Sequence, residues 1–128
     1  MRQARVGQGR FRRLLLEMWG ARCAVTGAGI PAVLAASHIK PWRCATNAER
    51  LDPHNGLLVL PQYDRLFDLG YISFRDDGGI LISAALPKDQ LPLLGVEEDA
   101  GLSAVVAAHR PFLSFHRDRV FIRPDDDP

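Results

Sequence analysis

Between Val33 and Gly70 the chain has little choice but to pair two short strands and run straight into a helix. Val33 to Ile39 is an extended apolar piece stopped by Pro41, and Gly56-Leu-Leu-Val-Leu60 is a compact second one. Pro61 follows at once, where its fixed φ and missing N–H suit a first helical turn. A helix from there to Asp68 buries Leu66 and Phe67, and Gly70 ends it. The connection from Trp42 to His54, broken by Asn47, Asp52 and Pro53, is long for a hairpin, and long connections are often functional.

The flanks read more simply. Gln8 to Trp19 predicts a helix, with Phe11, Leu14, Leu15 and Met18 forming one apolar stripe before Gly20. Arg10, Arg12 and Arg13 then fall mostly off that stripe, toward water or a ligand. Cys23 to Gly27 reads as a short extended piece, and Gly29-Ile-Pro31 as a turn. Tyr71 to Phe74, the Asp76-Asp-Gly-Gly79 turn and Ile80 to Ser83 make a β-hairpin. Past Pro87 the pattern weakens until Pro111 to Phe121, a final helix with Phe112, Phe115 and Val120 inward. The acidic tail, 124–128, is expected to be disordered. With 128 residues and no internal repeat, the expectation is one domain over 1–128.

Charge bears on the partner. The net charge of +1 hides an imbalance: from Met1 to Tyr63 there are nine Arg/Lys against three Asp/Glu, and from Asp64 onward seven against twelve. A basic first half suits a surface that meets phosphates. No stretch approaches the roughly 20 apolar residues of a membrane span, and Leu14-Leu15-Leu16 is too short for a secretory signal, so the cytoplasm is the expected location. Cys23 and Cys44 form no C-x-x-C pair and read as two thiols.

The polar residues with chemistry to offer sit on the strand–loop–strand–helix piece. They are Ser37-His38-Ile39-Lys40-Pro41-Trp42, then Asn55-Gly56-Leu57-Leu58, then Asp64-Arg65-Leu66-Phe67-Asp68-x-Gly70. His38, Asn55 and Asp64 stand 17 and 9 residues apart. Paired strands lie about 4.8 Å apart, so a helix packed across them can bring a carboxylate toward a histidine at the strand end. An imidazole with a pKa near ~6.5 can take a proton from water at neutral pH. A carboxylate can hold Mg²⁺ or Mn²⁺, which supplies a Lewis acid for phosphodiester hydrolysis.

In these three segments, taken in order, the chain resembles the HNH endonucleases, whose fold is the ββα-metal motif, and within them the branch with S-H-I-K-P-W, N-G-L and D-x-L-F-D-x-G signatures found in restriction-type enzymes. The resemblance runs from about Gly7 to Ser83, with its core at about 33–70 and a fainter echo at His116-Arg117. It implies an α+β fold with the ββα-metal motif at its centre, flanked by an N-terminal helix and a C-terminal β-hairpin plus helix. It implies that His38 is the general base, that Asn55 braces the loop holding the histidine, and that Asp64 stands where the metal is held. DNA, most simply double-stranded, is the implied substrate, cut to leave 3′-hydroxyl and 5′-phosphate ends. The implied cofactor is a divalent cation: Mg²⁺ or Mn²⁺ first, Zn²⁺ or Ni²⁺ as alternatives. Lys40, Arg43 and Arg65 are the candidates for phosphate contacts, and sequence specificity is expected from a fused or separate domain.

One departure stands out. Many members carry Asp or His before the first histidine as a second metal ligand, and this chain has Ser37. A neutral hydroxyl is a poor ligand, which predicts weak metal binding without DNA. Asp68, one turn after Asp64, is a ligand candidate that reads better as a support behind the metal. Two rival functions follow: an inactive DNA-binding module of the same fold, and a zinc-stabilised domain using Cys23, Cys44 and a histidine. His54, His109 and His116 read as surface or packing residues, and Trp42 as a core anchor.

Overall fold

A computed structural model describes residues 8–123, so the tail at 124–128 lies outside the described residues. Along the chain run α1 (Gln8–Met18), β1 (Ala35–His38), α2 (Asn47–Leu51), β2 (Gly56–Val59), α3 (Pro61–Leu69), β3 (Ile72–Phe74), β4 (Ile80–Ile82) and α4 (Arg110–Arg119), an α+β arrangement. β1 and β2 pair antiparallel in the register Ala35↔Val59, Ala36↔Leu58, Ser37↔Leu57 and His38↔Gly56. α1 packs on β2 and α3 on β1, so every residue of β2 is buried and the strand reads as one apolar run without alternation.

α3 begins at Pro61 and ends on Gly70, whose φ of 85° lets its N–H reach back to the Leu66 and Phe67 carbonyls. Its inner face carries Tyr63, Leu66 and Phe67, all buried. The second hairpin pairs Ile72↔Ile82, Ser73↔Leu81 and Phe74↔Ile80, and α4 closes over β3. Phe11 and Leu15 of α1, Leu57 and Leu58 of β2, Phe67 of α3, Ile72 and Phe74 of β3 and Leu113 of α4 share one core. Burying such side chains stabilises by about 1.5–3 kcal/mol each.

Several sequence expectations are corrected. The stripe on α1 is narrower than predicted: Phe11 and Leu15 are buried, Leu14 is half-buried and Met18 is exposed, while Leu16 and Trp19 lean on the core instead. Arg12 is not a free cation; its guanidinium donates to the Leu34 and Pro31 carbonyl oxygens at 2.6 and 2.7 Å, tying α1 to the entry of β1. Cys23 to Gly27 is a turn, because the Cys23 sulfur accepts from the Val25 and Thr26 amides and Gly27 takes φ 80°. The Trp42–His54 connection is ordered: a Thr46/Glu49 capping box starts α2, and a 3-10 turn over Pro53–Asn55 leads into β2. α4 ends at Arg119, two residues early, with Phe115 and Val120 only half-buried.

Two histidines are more deeply placed than expected. His116 stacks on Phe67 with centroids 3.6 Å apart, bonds Ser73 Oγ through Nδ1 at 2.7 Å and donates from Nε2 to the Phe67 carbonyl at 2.8 Å. It thereby ties α4 to β3 and α3 from inside the core, and burial pushes its pKa down to about 4. His109 is buried beside Trp19 and His54.

Candidate active site

The end of β1 and the outer face of α3 enclose an open cleft of about 620 Å³. Ser37 and His38 line it from the strand, Trp42 and Arg43 from the connection, and Asp64, Arg65 and Asp68 from the helix. The arrangement follows from the fold. Asp64 sits in the first turn of α3, and i, i+4 spacing carries Asp68 to the same side while Leu66 and Phe67 turn inward.

His38 is held from three directions. Nε2 donates to the Arg50 carbonyl oxygen at 2.8 Å, since a carbonyl can only accept. That bond puts the proton on Nε2 and leaves the Nδ1 lone pair available. Phe11 stacks on one ring face with centroids 3.9 Å apart and planes within 3°, and Trp42 meets the ring edge-on at 5.6 Å. Desolvation lowers the histidine pKa below its usual 6.5; the Arg50 charge lowers it further, against the opposing pull of the Arg50 carbonyl. That direction favours the uncharged ring at neutral pH.

Asn55 lies outside the cleft and is fully buried behind it. Its Oδ1 accepts from the Lys40 amide at 2.7 Å, and its Nδ2 donates to the Glu49 carbonyl at 3.1 Å. One side chain thus pins the chain just after His38 to the end of α2, whose next residue supplies the Arg50 carbonyl. No apolar side chain could satisfy those buried backbone groups.

The two carboxylates differ from the rest of the lining. Asp68 is raised to about 6, by desolvation first and by the neighbouring Asp64 charge second, with Arg65 and Arg43 pulling the other way. Its side chain nevertheless keeps one side in water. Ser37 Oγ, buried on the cleft wall, has no hydrogen-bond partner among the described residues. The two mutually repelling carboxylates offer hard oxygens on one cleft, which would suit a divalent cation that keeps most of its waters. Among the described residues no three His, Cys, Asp or Glu side chains group into a metal-holding cluster.

The predicted phosphate contacts divide. Arg43 and Arg65 are exposed on the cleft wall. Lys40 does not line the cleft: its ammonium pairs with Glu49 at 3.0 Å and lies over the Phe115 ring. Trp42 is no core anchor but a half-buried wall of the cleft, with the Arg50 guanidinium 4.4 Å over its ring. Phe11 and Arg50 were missed by the sequence reading, although the T-x-x-E capping signal before Arg50 was available to find α2. Cys23 is buried in its turn and Cys44 is exposed, so the two thiols occupy unlike surroundings.

A strand pair crossed by a helix, with a histidine and carboxylates on one cleft, matches the ββα arrangement expected from the sequence. Residues 23–75 match the HNH endonuclease family model. A solved structure, a modification-dependent TagI restriction endonuclease, is similar in fold: TM-score 0.53 at 20% identity, over 84% of this chain. The chain spans only 36% of that protein. A comparison with curated protein sequences finds no match. No described helix is long and apolar enough to cross a membrane.

Proposed function

We propose that the domain is a divalent-metal-dependent endonuclease that hydrolyses DNA phosphodiesters, with His38 as general base. The observation that supports this best is the shared cleft. The His38 imidazole, with Nε2 bonded to the Arg50 carbonyl, and a pair of carboxylates border one open cleft.

In this reading Nδ1 of His38 takes the proton from a water in line with the scissile P–O bond, a contribution of about 10²–10⁴-fold in rate. The imidazolium is oriented by the Arg50 carbonyl, which accepts from Nε2–H before and after the transfer. Asp64, with Asp68 behind it, would hold the cation, which when bound would supply charge stabilisation for the phosphate and the departing 3′-oxygen. Arg43 and Arg65 hold the flanking phosphates, contacts that carry no base information. Restriction-type use, with specificity supplied by another domain, fits the share of the TagI enzyme that this chain spans.

Supercoiled plasmid incubated with Mg²⁺ or Mn²⁺, with chelator and with His38→Ala, tests the reading. Nicking that needs both the metal and His38 supports it. Tight DNA binding with no nicking under any metal would replace it with an inactive module of the same fold.

A further inference from the structure

We propose that Phe11, on the N-terminal helix outside the family-matched segment, is a positioning residue that fixes the plane of the His38 ring, and that Gly56 exists in bare form to admit it. The inference rests on the reading of His38 as the base.

A histidine χ2 torsion is broad, with no sharp staggered well. The Arg50 bond anchors one edge of the ring, but hydrogen-bond angles are tolerant and leave it some rotation. Nδ1, the nitrogen left for water, lies off the Cβ–Cγ axis and swings with that remaining rotation. A second ring packed flat against the first removes this freedom. Phe11 does so at 3.9 Å and within 3° of parallel, itself almost wholly buried and so unable to follow the imidazole if it turned. The edge of Trp42, 5.6 Å away at 73°, limits motion at the rim.

The register explains how a helix residue reaches this place. Gly56 is paired directly with His38 across the two strands. A Cβ on residue 56 would meet Phe11 Cζ at 2.6 Å and the Leu15 methyls at 2.8 and 2.9 Å. Both side chains are fully buried in the core, so a methyl there forces them to shift. The missing side chain of Gly56 opens the slot beside His38 that Phe11 fills. The same contact bars tyrosine at position 11, whose hydroxyl would project from Cζ toward the strand.

A residue that only fills the core can be exchanged for leucine at the expense of stability alone. A positioning residue cannot, since a small misalignment of reacting groups is costly in rate. The test compares Phe11→Leu and Gly56→Ala with Leu15→Val, a control in the same helix core, each measured well below its own Tm. Two quantities are read: kcat and KM for plasmid nicking, and the NMR shifts of the His38 ring protons, which a face-on phenyl ring moves upfield. Phe11→Leu and Gly56→Ala are expected to return those protons downfield and to lower kcat about tenfold with KM little changed. Leu15→Val lowers Tm and moves neither quantity. Unchanged kcat in both test variants, or an equal loss in Leu15→Val, would overturn the proposal while leaving His38 as the base. Wild-type protein that does not nick, or nicking indifferent to His38→Ala, would instead overturn the functional reading on which it rests.

Discussion

His38 and Arg50 are joined by a 2.8 Å bond from the imidazole Nε2–H to a backbone carbonyl, twelve residues apart in sequence. The partner is main chain, so no side-chain substitution at position 50 removes it. What holds it in place is the fold of the connection: the Thr46/Glu49 capping box that starts α2 and the Asn55 amide that grips the Glu49 carbonyl. The tautomer of His38 is therefore set by the loop rather than by a neighbouring acid.

That dependence makes Asn55 testable. Asn55→Ala leaves the buried Lys40 amide and Glu49 carbonyl without their partner, a cost of about 1–3 kcal/mol for each unsatisfied group. Chemical denaturation should show the loss, and nicking should fall further than the unfolded fraction accounts for. Equal losses in both would make Asn55 a purely structural residue.

The rate should also carry the signature of a lowered histidine. Only neutral His38 accepts a proton, and the neutral form dominates above its pKa, which lies below 6.5. The acid limb of log kcat against pH is thus expected below pH 6.5, with the rate flat from there into the neutral range. A limb centred above 6.5 would contradict the desolvated ring.

Metal demand should depend on pH through the other wall. Asp68 titrates at about 6 and, protonated, offers less to a cation. The Mg²⁺ concentration for half-maximal nicking should rise as pH falls through 6, and Asp68→Asn should flatten that dependence. Asp64→Asn should raise the requirement by about tenfold or more. An unchanged requirement in Asp64→Asn would remove Asp64 from the metal.

Stability has a separate acid sensitivity far from the cleft. His116 titrates at about 4 in the fold against an ordinary 6.5, so below 6.5 the unfolded chain takes up a proton that the folded one refuses. Stability on the order of 3 kcal/mol is present above pH 6.5 and is lost between there and pH 4. Thermal melts across that range should show Tm falling, and His116→Leu should start lower and fall less. Parallel curves for the two proteins would contradict the assignment.

Much of this site was legible in the residues themselves. Pro61 and Gly70 bracket α3 because each has one dominant backbone use, and their spacing carries Asp64 and Asp68 to one side. The pairing of β1 with β2 followed from two short apolar runs. What escaped was whatever depends on long-range packing. The Lys40–Glu49 pair was hidden because nothing local shows that α2 returns Glu49 to Lys40. His116 looked ordinary because its enclosure by Phe67 and Ser73 requires α4 to fold back over β3. Phe11 read as one more core residue, since the pairing of His38 with Gly56 that gives it a second task is a matter of register.

Whether His38 stands beside a cation held by Asp64 is addressed most directly by paramagnetic NMR. Mn²⁺ titrated into the protein should broaden the ring protons of His38 before and more strongly than those of His116, and Asp64→Asn should abolish the difference. Broadening that spares His38 while Mn²⁺ supports nicking would place the metal elsewhere and contradict the account.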